Sequence, residues 1–284
     1  MRESKQAKAP GGLPRTLAGW CLLAALCTLL ILLGRWAGLD APDTEETSIP
    51  NDHFALQISA EADGEGEAKE VMMLKIACLT FDDGPSVHTQ EILDILRKAE
   101  VPATFFVTAQ EANMDYYPLL KTAVAQGHQI ALHSASHDYS KIYASPQAYW
   151  LDIKELRRAL GPYVDVEAIH WLRFPGGSTN TVSHRYGGSG VMKALIEQTD
   201  AHGYEWIDWN VCAEDATASH PNAEQILRNI QRESENRDIC VVLLHDTKAT
   251  GQTVKALPAI VDWYKEQGYH FCTVEEMYEA RDGG

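Results

Sequence analysis

From about Val71 the chain repeats one pattern: a short apolar run, a polar turn, then an amphipathic stretch. The runs Leu74–Phe81, Ala103–Thr108, Gln129–Leu132, Trp171–Phe174, Tyr204–Trp209, Ile239–Leu244 and Tyr269–Thr273 read as buried strands. Between them, Thr89–Glu100 sets Ile92, Leu93, Ile95, Leu96 and Ala99 along one broad face, as a helix packed on a sheet requires. Similar faces predict helices over Tyr117–Gln126, Pro146–Leu160, Val191–His202, Asn222–Glu235 and Val254–Gln267, with Gly127, Gly161, Gly203 and Gly268 as stop signals. About seven β/α alternations imply parallel strands, and in such folds the chemistry gathers at the carboxyl ends of the strands.

The first 70 residues follow a different rule. Leu17 to Gly34 is an uncharged, mostly apolar run that reaches ~27 Å as a helix at about 1.5 Å per residue, nearly a bilayer core. Trp20 and Trp36 flank it, and residues 1–39 carry five bases against Glu3 alone, which orients the N-terminus inward. The expected organisation is a basic cytoplasmic tail over 1–16, a transmembrane signal anchor over 17–34, an acidic tether over 35–70 and a catalytic domain over 71–284. It places the protein in the cell membrane as a single-pass chain with its domain extracytoplasmic. A cleaved signal peptide is the rival reading, but no small-x-small site follows promptly and the run exceeds the usual ~7–15 residues. Residues 40–70 hold ten acids against Lys69, with few large apolar groups, so they cannot offset their ordering entropy.

Charge and composition narrow the function. The 284 residues have a net charge of -16, and 71–284 keeps an acid excess. Broad attachment to nucleic acid needs Lys and Arg to neutralise phosphates, so a nucleic-acid role is disfavoured. Six Cys are too few for a disulfide scaffold. Cys78, Cys240 and Cys272 fall in predicted strands, where buried free thiols are the default, and Cys212 lies near the candidate chemistry. A disulfide among these four cannot be paired from sequence.

The polar residues that follow the apolar runs carry the candidate chemistry. Asp82 and Asp83, ahead of Gly84-Pro85, crowd two carboxylates at a strand end, which a cation would relieve; a plain turn with a helix cap is the alternative. His133 and His137 are four apart, so on one helical turn both imidazoles would face a shared ion. With 11 His in the chain, such a pair also arises by chance. Arg173 could orient a carboxylate, Gly176 and Gly177 could present N–H groups to an oxyanion, and His245 could deliver a proton. Taken singly, a surface pair, a turn and a satisfied core histidine are the better readings.

As an ordered set, TFDDGP, HSASH, Arg173-Phe174-Pro175, an Asp after a Trp-containing run, and LLHD resemble the five motifs of the NodB-like polysaccharide deacetylases, the fourth carbohydrate esterase family. The resemblance covers about residues 75–273 and implies an α/β fold, a distorted (β/α) barrel with about seven units, preceded here by the transmembrane helix. It implies Asp82 as general base, Asp83, His133 and His137 as metal ligands, and His245 as general acid. Arg173 would pair with the base, Asp215 would tune the acid, Leu243 would line the acetyl-methyl pocket, and Gly176 would supply an oxyanion N–H. Asp208-Trp209 is an alternative alignment for Asp215-Ala216.

The implied cofactor is a divalent metal, Zn²⁺ first, with Co²⁺, Mn²⁺ or Fe²⁺ as rivals. The implied activity is hydrolysis of N-acetyl groups from an acetylated amino-sugar polymer, with peptidoglycan the most economical substrate for a tethered extracytoplasmic domain. O-acetyl ester removal, chitooligosaccharide deacetylation and a non-catalytic carbohydrate-binding role are the alternatives. Two departures bear on the groove: the family commonly has Tyr where Gly176 stands, and Trp where Ala216 stands. The first is expected to cost one wall of the substrate groove.

Overall fold

Strands laid side by side in parallel need crossover helices, and the alternating pattern supplies them. In the computed structural model, which describes residues 74–282, the strands are β1 Lys75–Asp82, β2 Thr104–Thr108, β3 Gln129–Ser134, β4 Trp171–Leu172, β5 Glu205–Trp206, β6 Val211–Cys212, β7 Ile239–His245 and β8 Tyr269–Phe271. The main helices are α1 Thr89–Ala99, α2 Pro118–Ala125, α3 Pro146–Leu160, α4 Val191–Gln198, α5 Ala223–Glu233, α6 Gly251–Glu266 and α7 Val274–Asp282. The strand order is β5-β4-β3-β2-β1-β7-β6, with β8 also on β1. Every pairing is parallel. β5 and β6 end the path, so the barrel is incomplete between them.

The expected fold differs from this one in two places. Eight strands form instead of about seven, because β6 has two residues and is too short to leave a periodic signal. The run Tyr204–Trp209 pairs only at Glu205–Trp206, since Arg173 takes the carbonyls of Ile207 and Asp208 into side-chain hydrogen bonds. The basic tail, the apolar run 17–34 and the acidic tether lie outside the described residues. Among the described residues no helix is long and apolar enough to cross a membrane.

β1 is the axis of the sheet. It pairs with β7 along seven residues, with β2 through Thr80–Asp82 and with β8 through Lys75–Ala77. Strand alternation splits its side chains between two layers. Ala77, Leu79 and Phe81 join the larger apolar cluster with α1 (Ile92, Leu93, Leu96), α3 and α6. Ile76 and Cys78 point the other way, into a smaller cluster with Phe106, Trp171, Val274 and Met277. Thr80 and Asp82 continue that inner row towards the strand's carboxyl end.

Capping explains why the crossovers start where they do. Ser145 accepts the N–H of Ala148 and Pro146 occupies the first turn of α3. Asn222 and Gln225 form a reciprocal capping box on α5. α1 stops where Glu100 turns left-handed, at φ 57°.

Candidate metal centre and catalytic groups

Asp82, Asp83, His133, His137, Arg173, Asp215 and His245 gather at the carboxyl ends of the strands. β1 and β7 set the frame, because their register pairs Asp82 with His245 and Thr80 with Leu243. These four side chains therefore share one face. Leu243 is buried yet belongs to neither apolar cluster.

Arg173 follows β4 and is fully buried. Its Nη1 donates to Asp82 Oδ1 at 2.9 Å and to Thr80 Oγ1 at 2.7 Å, while Nε and Nη2 donate to the carbonyls of Ile207 and Asp208 at 3.1 and 3.0 Å. The guanidinium also lies over the Phe106 ring, 4.1 Å from its centroid. A buried ion pair persists only when its remaining hydrogen-bonding capacity is met, as here. The Asp82 carboxylate is thereby held with Oδ2 turned towards His133, 3.8 Å from Nε2.

Asp83, His133 and His137 form the one His/Asp cluster among the described residues able to hold a metal ion, with ligand atoms within 4.8 Å of one another. Asp83 Oδ1 lies 3.2 Å from His137 Nε2 and 3.6 Å from His133 Nε2. That oxygen is buried without a hydrogen-bond partner. His133 Nδ1 faces the Arg173 carbonyl at 2.8 Å, and a carbonyl only accepts, so the proton sits on Nδ1 and the Nε2 lone pair points into the cluster. Burial lowers the His133 pKa, against the raising effect of the Asp82 and Asp83 charges, which keeps the ring neutral. An orphaned carboxylate oxygen beside a free imidazole lone pair fits a divalent cation, and three protein ligands leave positions open for water and substrate.

The two histidines converge for a reason other than the expected helical turn. His133 is in β3, whereas His137 lies in the following loop with φ 50°, in the left-handed region. Asp83 is also left-handed, at φ 72°. Each such residue costs on the order of 1 kcal/mol, so neighbouring contacts must hold it.

Those contacts come from residues to which the sequence assigned no role. Asp152 on α3 accepts from Ser134 Oγ (2.7 Å), Ala135 N–H (2.7 Å) and Ser136 N–H (3.0 Å), and Ser134 Oγ in turn accepts the His137 N–H at 2.8 Å. Asn113 Nδ2 donates to the carbonyls of Asp83 and Pro85 at 2.8 and 2.7 Å. Asp246 accepts from Ser86 Oγ and Thr89 Oγ1, both at 2.5 Å, and its N–H donates to the Asp82 carbonyl at 2.8 Å. Asp152 and Asn113 lie outside the motifs and carry no signal of this role, and Asp246 closes LLHD without a sign of what it would bind.

His245 and Asp215 form a second hydrogen-bonded unit. The Nδ1 contact to Asp215 Oδ1 is 2.8 Å, and Asp215 Oδ2 also accepts the His245 N–H (2.9 Å) and Thr253 Oγ1 (2.7 Å). Burial pulls the His245 pKa down, but the hydrogen bond and charge of Asp215, aided by Asp82 and Asp83, outweigh it and raise the pKa to about 9. Asp208, the alternative partner, accepts instead from Ser178 N–H and Oγ and braces the glycine turn.

The glycines divide. The Gly177 N–H donates to the Phe174 carbonyl at 2.8 Å, so it is spent within the turn and is not an oxyanion donor. Among the described residues no acceptor takes the Gly176 N–H. Gly176 has φ 78°, and a Cβ there would lie 2.6 Å from the Tyr139 hydroxyl. Tyr139 packs edge-on against His137, with centroids 5.7 Å apart. A phenol from the one-turn helix Tyr139–Ile142 after β3 therefore fills the space beside Gly176, where the sequence implied a missing wall.

The sequence model of the family described as Polysaccharide deacetylase matches residues 70–189. A peptidoglycan-N-acetylglucosamine deacetylase of Bacillus cereus is 31% identical over 205 residues, covering 72% of this chain and 88% of that protein. The chain belongs to the polysaccharide deacetylase family. Within it, the catalytic domain of the peptidoglycan N-acetylglucosamine deacetylase from Eubacterium rectale superposes with a TM-score of 0.66 at 37% identity, over 76% of this chain and 93% of that one. A bifunctional xylanase/deacetylase of Pseudobutyrivibrio xylanivorans is 32% identical over 226 residues. The matched region covers 78% of this chain and 34% of that protein, about a third of its length.

Asp152 yields a test of the loop argument. Asp152→Ala is expected to leave the far-UV circular dichroism unchanged while weakening Zn²⁺ binding, read by competition with a chromophoric chelator, by about 10-fold to 100-fold. Wild-type affinity in the variant would show that the His137 loop holds itself.

Proposed function

We propose that this polysaccharide deacetylase is a metal-dependent enzyme that removes N-acetyl groups from a cell-wall amino-sugar polymer, peptidoglycan in the first instance, releasing acetate and leaving a free amine. The observation that carries the reading is the β1/β7 register, which sets Asp82 beside His245 with the Asp83–His133–His137 cluster at the same strand end. A base and an acid flanking one electrophilic position is what amide hydrolysis needs.

A divalent ion held by Asp83, His133 and His137, Zn²⁺ by preference for two imidazoles and a carboxylate, would polarise the amide carbonyl and acidify an attacking water. The chain's own groups do the rest. Arg173 holds the Asp82 carboxylate aimed, and Asp82 takes the proton of the water as its oxygen bonds to the carbonyl carbon. The Gly176 N–H donates to the oxygen on which negative charge develops. Asp215 holds His245 protonated and turns its Nε2 outward, so that His245 gives its proton to the sugar nitrogen as the C–N bond breaks. Leu243 supplies an apolar contact suited to the acetyl methyl, and Tyr139 walls the groove beside Gly176. The similarity to a xylanase/deacetylase favours O-acetyl ester removal as the second reading, since the same groups would serve an ester.

For the N-terminal region, we propose a single-pass anchor over residues 17–34 that holds the catalytic domain outside the cell. Support comes from the length and apolarity of that run and the basic residues before it. Intact-mass measurement on the membrane-associated protein is expected to return the full-length chain, and a mass lacking the first ~35 residues would replace the anchor by a cleaved signal.

Acetate release by the metal-stripped full-length protein, reloaded with Zn²⁺, Co²⁺ or Mn²⁺, should appear with intact peptidoglycan and exceed that from N-acetylglucosamine oligomers and acetylated xylan. Asp82→Asn should keep its metal and lose about 100-fold to 10,000-fold in turnover, while His133→Ala should lose both. Turnover persisting in Asp82→Asn would overturn the assignment of the base.

The acid has its own signature. His245 works protonated, so the rate should fall as pH rises through about 9. Asp215→Asn removes the group that raises this pKa, so the limb should move to lower pH; an unmoved limb would assign the proton donor elsewhere.

A further inference from the structure

Three sulfur atoms meet in the inner layer beneath the site. Cys78 Sγ lies 3.5 Å from Cys272 Sγ and 3.6 Å from Met277 Sδ. All four described cysteines are free thiols, and Cys240 faces the Tyr269 hydroxyl at 3.8 Å. The proximity of Cys78 and Cys272 is built into the sheet. β1 and β8 pair Lys75 with Tyr269, Ile76 with His270 and Ala77 with Phe271, so the next residues in register are Cys78 and Cys272. Parallel neighbours stand ~4.8 Å apart, inside the roughly 4.4–6.8 Å span of Cα atoms that a disulfide bridges. Only a side-chain rotation separates the two sulfurs from bonding distance.

We propose that Cys78 and Cys272 form a reversible disulfide that latches the end of β8, and with it the start of α7, to the strand that carries Asp82. The two thiols differ in access as the chemistry requires. Cys272 is half-buried and reachable, whereas Cys78 has no exposure. An external disulfide R–S–S–R is therefore met first by Cys272, whose thiolate attacks one sulfur, forms Cys272–S–S–R and expels R–S⁻. Cys78 then loses its proton and attacks the Cys272 sulfur. The Cys78–Cys272 bond forms, the mixed disulfide breaks, and a second thiol leaves, so that two protein thiols are oxidised and one external disulfide is reduced to two thiols. The neighbouring Cys272 thiol and burial both push the Cys78 pKa up, which makes this second step the slower one and speeds it as pH rises.

The latch has a position that matters to the enzyme. Cys78 is on the inner row of β1 with Thr80 and Asp82, and Val274 and Met277 of α7 pack against it. Closing it joins residues 194 apart in sequence, which removes much of the freedom of the unfolded chain. It ties the C-terminal helix to the floor of the site.

The test uses the reduced full-length protein, incubated with oxidised glutathione, alkylated under denaturing conditions and mapped by peptide mass. A peptide pair joined through Cys78 and Cys272, about 2 Da lighter than the two thiol peptides together, is expected, reverting with dithiothreitol. The oxidised form should melt at least about 5 °C higher than the reduced form. Cys272→Ser should abolish both changes, and Cys78→Ala should do the same should the serine variant prove unstable. Both thiols remaining alkylatable, glutathione retained on Cys272 with Cys78 still free, or a cross-link between other cysteines would each overturn the proposal.

Discussion

A guanidinium fully removed from water must have every charge and donor answered, and the position of Arg173 in this fold is set by that demand. Its contacts reach Thr80 and Asp82 on β1 and the backbone at Ile207 and Asp208 after β5, so elements distant in the sheet are drawn to one point. The Arg173 N–H also joins the Leu132 carbonyl, and its own carbonyl faces the His133 imidazole. One residue thus aims the candidate base through its side chain and sets the tautomer of a candidate metal ligand through its backbone. Removing it would leave a buried carboxylate unpaired, at a cost of about 3–5 kcal/mol.

The same carboxylates act on two histidines with opposite outcomes. At His133 burial dominates and the ring stays neutral, as a ligand must be. At His245 the direct contact with Asp215 dominates and the ring holds its proton, as an acid must. The difference comes from one hydrogen bond: His133 gives its Nδ1 proton to an uncharged carbonyl, His245 to a carboxylate. At one end of the sheet, the local partner of Nδ1 decides which imidazole stays neutral and which holds its proton.

The ligand loops are strained and held from outside. Asp83 and His137 occupy left-handed backbone, and Asn113, Asp152 and Asp246, each on a different element, bond to their loops. Tyr139 adds a second kind of support, because its ring contacts His137 and its hydroxyl fills the space above Gly176. A Tyr at position 176 would meet that hydroxyl and an unfavourable φ, so this chain builds its groove wall from a different segment.

The apolar alternation of β1, β2, β3 and β7 and the amphipathic faces of α1 and α3 were legible along the chain, because burial on a sheet imposes a local period. So were Asp82, Asp83, His133, His137 and His245, since each stands directly after a strand or within its last residues, where a parallel fold gathers chemistry. β6, Asp152, Asn113, the bracing role of Asp246 and the Tyr139 wall were not legible, nor was it legible that the Gly177 N–H is spent within its turn. These depend on which distant backbone groups happen to need a partner, and no local pattern encodes that. The preference for Asp215 over Asp208 came from the resemblance alone, since both stand in one short segment; the paths of β6 and β7 bring the Asp215 carboxylate to His245. Sequence period determined the layers, and long-range hydrogen bonding, which has no period, determined the site's precision and the meeting of Cys78 with Cys272.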